Sequence, residues 1–235
     1  MRLFIPTCDK YLQGVEALLI TLTKYWKDQT IVILGYNSPQ FKLPENVTFH
    51  SMGTDRGTKE WSSDLRKYFE NIQDEFFIYI NDDTLILDNV DTNIISELIK
   101  ELRPEVGRVS LTGCVANRPY NILKKRTDYD LIESSQRADY RISTQYSIWN
   151  REYFLKYLTP GLTPWEFELQ QSELAKNDQA VILGTLRKFP IEFSHLYKRG
   201  RLIESWYKSV HTNKVLAEEI KEQISNILWN RSIQK

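Results

Sequence analysis

The sequence predicts an α/β fold, a mixed sheet flanked by helices, on two observations. The first is Phe76-Phe77-Ile78-Tyr79-Ile80, an unbroken run of β-formers that closes on Asn81-Asp82-Asp83. Such a run describes a strand buried on both faces, which belongs to parallel or mixed sheets covered by helices. The second is the alternation of short apolar runs with segments of helical period through the first half of the chain, the pattern of a helix-covered sheet.

Taken in order, Leu3-Phe4-Ile5 is a strand ended by Pro6, and Leu12, Val15, Leu18, Leu19, Leu22 and Trp26 then recur at helical spacing. The loop Pro6-Thr7-Cys8-Asp9 therefore lies at a carboxyl strand end, where it could meet a nucleotide or could simply cap the helix through Thr7 or Asp9. Residues 30–36 and 47–52 read as strands, with a turn at Asn37-Ser38-Pro39 between them. Trp61, Leu65, Tyr68, Phe69 and Ile72 mark a helix. Its polar side, with Ser62, Ser63, Asp64, Arg66 and Lys67, reads as a solvated face.

After the central run, residues 90–102 read as a helix and 108–112 as a strand. The span 113–139 loses all period and is rich in Asn, Arg, Lys, Asp and Ser, which marks a functional lid or a disordered segment. A strand at 141–149 and a helix at 152–158 follow. Pro164 suits the first turn of a helix opening with Trp165-Glu166-Phe167-Glu168. Late strands are read at 181–186 and 191–193, then a basic cluster, Lys198-Arg199-Gly200-Arg201, and a terminal helix over 213–229.

The 235 residues, 41% hydrophobic and 12% aromatic, suffice for one large domain. We expect a nucleotide-binding half at 1–87, an acceptor-binding and catalytic half at 88–200, and a helical tail at 201–235. Lys plus Arg and Asp plus Glu both total 31, so no global field draws the chain to nucleic acid or an anionic membrane. A strand almost at the initiator Met leaves no space for a signal peptide, and no apolar run is long enough to span a bilayer. A cytoplasmic location is the expectation. The two cysteines, Cys8 and Cys114, are too few for a disulfide framework or a zinc site.

Adjacent carboxylates at the end of a buried strand call for water or a counter-ion. Magnesium and manganese take one or two carboxylates and complete their shells with phosphate and water. The same triplet can begin a turn. Position favours the ligand, because open α/β sheets bind theirs at carboxyl strand ends.

Four blocks carry a resemblance: Trp61-Ser62-Ser63-Asp64-Leu65-Arg66, the central strand with Asn81-Asp82-Asp83, Gln145-Tyr146-Ser147-Ile148-Trp149-Asn150, and Pro164-Trp165-Glu166-Phe167-Glu168. In order and spacing they resemble the GT-A glycosyltransferases of bacterial and viral type, over most of the chain up to about Gly200. The resemblance implies a Rossmann-type mixed sheet, a nucleotide-sugar donor, UDP-linked in most relatives, and a glycan or other hydroxyl acceptor. It also implies a Mn2+ or Mg2+ ion held by an Asp-x-Asp-type motif.

On that resemblance Thr7, Asp9, Trp61, Ser62 and Arg66 would serve the nucleotide. Asp83 would be the principal metal ligand, with Asp82 at the metal or the ribose and His195 as a third ligand. Asn81 departs from the usual first carboxylate and would face the ribose instead. Lys198, Arg199 and Arg201 would meet the diphosphate. An inverting transfer needs a carboxylate base, for which Glu166 is preferred over Glu168, although acids in a first helical turn also answer to the macrodipole. About 200° of helix rotation separates the two, so one of them should face the site. A sugar nucleotidyltransferase on a similar fold would carry a glycine-rich basic loop after the first strand, and Pro6-Thr7-Cys8-Asp9 has neither glycine nor base. A catalytically inactive carbohydrate- or partner-binding module is the alternative from another class.

Overall fold

A computed structural model of the chain describes residues 1–198, 201–202 and 218–230. Its strands are β1 (Leu3–Pro6), β2 (Ile31–Gly35), β3 (Val47–Ser51), β4 (Phe76–Tyr79), β5 (Thr84–Ile86), β6 (Val106–Ser110), β7 (Tyr120–Lys125), β8 (Asp130–Ser134), β9 (Ser147–Asn150), β10 (Val181–Leu186), β11 (Phe193–His195), β12 (Tyr197–Lys198) and β13 (Arg201–Leu202). The helices are α1 (Leu12–Tyr25), α2 (Trp61–Phe69), α3 (Thr92–Ile99), α4 (Arg151–Tyr157), α5 (Pro164–Leu174) and α6 (Glu218–Ser225).

Nine strands form one mixed sheet in the order β3-β2-β1-β4-β9-β6-β10-β8-β7. β1 pairs in parallel with β2 on one side and with β4 on the other, so the strand order reverses between β1 and β4. The loops after β1 and β4 therefore open at the switch point, where such sheets leave a crevice for a ligand.

Period-two alternation sends β1 and β4 into two cores. Leu3, Ile5, Ile78 and Ile80 join the α1 residues Val15, Leu18, Leu19 and Leu22 on one face. Phe4, Phe77 and Tyr79 meet Leu65 and Phe69 of α2, Phe154 of α4 and Phe167 of α5 on the other. Phe77 packs against Phe69, Phe154 and Phe4 with ring centroids 4.4, 5.3 and 5.6 Å away. The central run is thus buried on both sides, as its composition requires.

Several local expectations change. The span 113–139 contains the β7–β8 hairpin, antiparallel with a register shift between Ile122 and Lys124. β7 lies at the sheet edge and is almost wholly exposed, so it needs no apolar alternation, and the bulge breaks what period there is. Of the expected 141–149 strand only residues 147–149 join the sheet, in a strand that runs on to Asn150. The preceding stretch is held by side chains instead. Arg141, fully buried, donates to the Ala175, Ser135 and Ala180 carbonyls and pairs with Asp178 at 2.8 Å. The polar side of α2 is not solvated throughout either, since Ser62 and Asp64 are buried. The side chains of Lys198 and Arg201, all of Arg199, and the expected helix start at Asn213 lie outside the described residues. No described helix is long and apolar enough to cross a membrane.

Candidate active site

A cavity of about 440 Å3 opens at the β1/β4 switch point. Pro6, Thr7 and Cys8 line it from the β1 loop, Asn81, Asp82 and Asp83 from the β4 loop, and Thr144, Gln145, Pro164, Trp165 and Glu168 from the second half of the chain.

The Asn81-Asp82-Asp83 turn is fixed by the residue after it. Thr84, fully buried, donates its hydroxyl to the Asn81 carbonyl at 3.0 Å and shares a 2.7 Å hydrogen bond with the Tyr146 hydroxyl. β5 then pairs antiparallel with β11, placing Thr84 opposite His195, and the Leu196 amide donates to the Asp83 carbonyl at 2.6 Å. This pairing brings His195 to the motif from more than a hundred residues away in the chain. Its Nδ1 stands 3.6 Å from Asp83 Oδ2.

The electrostatics are those of crowded carboxylates. Burial and the neighbouring Asp83 charge push the Asp82 pKa from 3.8 up to about 7, with Thr7 acting against them. The Asp83 carboxylate raises the His195 pKa above its ordinary value, against desolvation. The oxygens Asn81 Oδ1 and Asp83 Oδ1 are buried without a hydrogen-bond partner, a costly condition unless something else meets them. Among the described residues no group of three or more His, Cys, Asp or Glu side chains is placed to hold a metal. A hard cation that keeps water and substrate phosphates needs only one or two protein ligands, and Asp83, with His195 beside it, fits that smaller demand.

The two candidate bases part company. Glu168 lines the cavity, and its Oε1 accepts from the Thr144 amide at 2.7 Å, the Thr144 hydroxyl at 2.9 Å and the Ser143 hydroxyl at 3.0 Å. All three bonds fall on one oxygen, leaving Oε2 free of them. Glu166 turns to its own helix start: its Oε2 accepts from the Thr163 amide at 2.8 Å, and its Oε1 takes an ion pair from Lys59. Lys59 and the Thr163 groups hold the Glu166 pKa at about 2. The preference for Glu166 over Glu168 therefore does not fit the geometry, because capping and an ion pair occupy both Glu166 oxygens.

Of the expected nucleotide residues, Thr7 and Trp61 line the cavity with Asn81 and Asp82, and three do not. Asp9 accepts from the Asn37 amide at 3.0 Å and from the Asn37 side chain, tying the loop after β2 to the loop after β1. Ser62 accepts from the Leu162 amide at 2.8 Å. Arg66 donates to the Leu155 carbonyl at 2.7 Å and pairs with Glu70 at 2.8 Å. Each has a structural partner close by in space that the linear sequence does not reveal.

Other lining residues had no signal in the sequence: Lys10, Tyr11, Tyr36, Asp55, Gly57 and Thr58. The loop carrying Asp55 is braced by Arg56, which reaches the buried Asp64 at 2.6 Å, while Asp64 accepts from the Tyr36 hydroxyl at 3.1 Å. Among the described residues the cavity thus presents four carboxylates, Asp55, Asp82, Asp83 and Glu168, against one lysine, Lys10.

No protein-family model and no curated protein matches the chain. Solved structures do. S. aureus TarS 1-349 in complex with UDP-GlcNAc is matched over 100% of this chain and 73% of that one, at 14% identity and a TM-score of 0.52. A cytidylyltransferase from Leptospira borgpetersenii is matched over 99% and 95%, at 11% identity and a TM-score of 0.49. Bifunctional IspDF from Campylobacter jejuni is matched over 90% of this chain, at 14% identity and a TM-score of 0.41. This chain spans 53% of that protein's length, and 37% of the length of the bifunctional glycosyltransferase WbbM. At these identities the likeness is one of fold, and the sheet order, the switch-point cavity and the superposition on TarS agree on it: the chain has the GT-A fold.

Proposed function

We propose that the chain is a divalent-metal-dependent glycosyltransferase, moving a sugar from a nucleotide donor to a hydroxyl acceptor with inversion. The observation that carries this reading is the pair of buried, unpartnered oxygens, Asn81 Oδ1 and Asp83 Oδ1, at the switch point of a GT-A sheet. A cavity with four carboxylates repels a diphosphate, so a nucleotide donor needs cationic help there. Asp83, with His195, would hold Mn2+ or Mg2+, which when bound supplies the charge that stabilises a leaving diphosphate. Asn81 and Asp82 would face the ribose, and Thr7 and Trp61 the nucleoside. UDP is the first donor base to try, because TarS 1-349, which shares the fold, is in complex with UDP-GlcNAc.

Glu168 is the base in this reading. Three donors fix its Oε1, so the carboxylate is oriented before any ligand arrives. It takes the acceptor hydroxyl proton as that oxygen bonds to the anomeric carbon, while the bond from that carbon to the donor phosphate breaks and the nucleoside diphosphate leaves. The test is a melting-temperature panel of UDP, GDP, CDP and ADP, each with and without Mn2+, followed by turnover of the matching sugar nucleotide. Stabilisation by one diphosphate only with the metal, and diphosphate release on turnover, is the expected result. No stabilisation by any of the four rejects the reading, and stabilisation without turnover favours a binding module.

A further inference from the structure

Helix α5 begins with more restraint than a surface helix needs. Thr163 and Glu166 cap it reciprocally, Pro164 occupies its first turn, and Lys59 reaches across to Glu166. The loop entering it is fastened to α2 by Ser62, which accepts from the Leu162 amide at 2.8 Å, and by Ser63, which accepts from the Gly161 amide at 3.1 Å. These are the residues that the nucleotide and base assignments leave without a ligand. What they fix is the backbone that carries Trp165.

Trp165 lines the cavity and is 61% exposed, whereas Trp26 and Trp149 are buried and Trp61 is half-buried. It has no stacking or cation–π partner among the described residues. Leu169, 55% exposed, follows one turn later on the same side of the helix, and Glu168 lies about 60° of rotation from Trp165 on the cavity side. A large apolar side chain kept in water on a restrained backbone is the form of a binding platform, because backbone pre-organisation reduces the entropy lost when a ligand arrives.

The surroundings narrow the ligand. Thr144, Gln145 and Glu168 line the same cavity as the indole and bring hydrogen-bonding groups to it. A ligand that is apolar on one face and hydroxylated around its edge matches both, and that description is a pyranose ring. We propose that Trp165, flanked by Leu169, is the acceptor platform: the C–H face of a pyranoside packs on the indole while a ring hydroxyl reaches Glu168. The link to Glu168 rests on the transferase reading above, whereas the saccharide site itself does not.

The test follows the indole N–H signals of the 15N-labelled full chain, with the Trp165 signal assigned by its loss in Trp165→Phe. Methyl α- and β-pyranosides of glucose, galactose, mannose and N-acetylglucosamine are titrated, with glycerol as an acyclic polyol and choline as a cation that would seek an aromatic face. At least one pyranoside should shift the Trp165 signal saturably and more than any other indole, and glycerol and choline should not. Trp165→Ala should weaken that pyranoside about tenfold, a loss of one well-placed aromatic contact, and Trp165→Phe should weaken it less. Leu174→Ala, an exposed residue at the far end of α5, should leave binding unchanged. The proposal is overturned if no pyranoside moves the Trp165 signal, if Trp165→Ala binds the pyranoside as tightly as wild type, or if choline binds in place of sugar. Separate titration of the wild-type chain with UDP-GlcNAc and Mn2+ distinguishes the two claims. Donor binding without pyranoside binding leaves the transferase reading standing and removes the platform, and the converse leaves a saccharide-binding module.

Discussion

His195 and Asp83 meet across a strand pair, with Nδ1 and Oδ2 3.6 Å apart, because β11 returns along β5 immediately after the motif. The relationship is built by backbone pairing rather than by the side chains, so altering either side chain should leave it standing. Asp83→Asn is therefore expected to retain a native melting temperature without ligand and to lose the Mn2+-dependent part of nucleoside diphosphate binding. His195→Gln should weaken that part less, by about tenfold or 1.4 kcal/mol. Calorimetric titration with and without chelator checks both, and undiminished Mn2+ dependence in Asp83→Asn would remove Asp83 from the metal.

Asp82 makes a prediction about pH. A carboxyl whose folded pKa is raised to about 7 gives its full stability only below its unfolded value of 3.8, and that contribution is lost as pH rises through 7. Without divalent cation, Asp82→Asn should therefore melt higher than wild type at alkaline pH, with the gap closing toward about pH 4. Allowing for solvent screening of a half-buried group, the gap at about pH 8 is roughly 1–2 kcal/mol, or about 2–8 °C. A melting series across this range in chelator is the measurement, and equal melting at every pH would mean that Asp82 is not crowded by Asp83.

Glu168 and Glu166 separate by different assays. Glu168→Gln should reduce transfer to acceptor by roughly 10²–10⁴-fold with donor binding retained. Glu166→Gln should leave the chemistry largely intact and lower the melting temperature at neutral pH, since it loses the Lys59 ion pair. Because the folded Glu166 pKa is lowered from 4.5 to about 2, its contribution is present above 4.5 and disappears as pH falls toward about 2, so the two proteins should converge in acid. Near-normal transfer by Glu168→Gln, or a product that keeps the donor's anomeric configuration, would reject direct displacement with Glu168 as base.

What could be read in advance followed from periodicity. The two-sided burial of the central strand, the helical stripe of Val15, Leu18, Leu19 and Leu22, and the strand-end position of Asn81-Asp82-Asp83 are all local consequences of apolar spacing. Strand β7 escaped because an exposed edge strand has no core face to print a pattern. At the site, Glu166, Ser62, Arg66 and Asp9 have the same side-chain chemistry as ligand-binding residues. Their partners, Lys59, Leu162, Leu155 and Asn37, are fixed only by long-range packing. Thr84 is the exception that local reading could have caught, because a hydroxyl directly after a turn motif often closes that turn.

Gly14 joins the helix to the site. A Cβ there would stand 2.8 Å from Cε2 of the Tyr197 ring and 3.1 Å from the Asp82 carbonyl oxygen, so α1 approaches the motif too closely for a side chain to fit unless these neighbours shift. Gly14 stands in the first turn of α1, so Gly14→Ala would gain at most the roughly 1 kcal/mol of helix propensity that an interior position gives. That gain offsets part of the strain, and the melting temperature should move by only a few degrees. The ring and the Asp82 carbonyl must nevertheless give way. Tyr197 packs edge-on against Tyr11, a cavity-lining residue, at 4.9 Å, so the displacement is delivered to the cavity on two sides. Nucleoside diphosphate affinity in the presence of Mn2+ should therefore fall by several fold at nearly constant stability, read by titration and melting of the same preparation. A large loss of stability with unaltered affinity would show that the close approach serves packing alone.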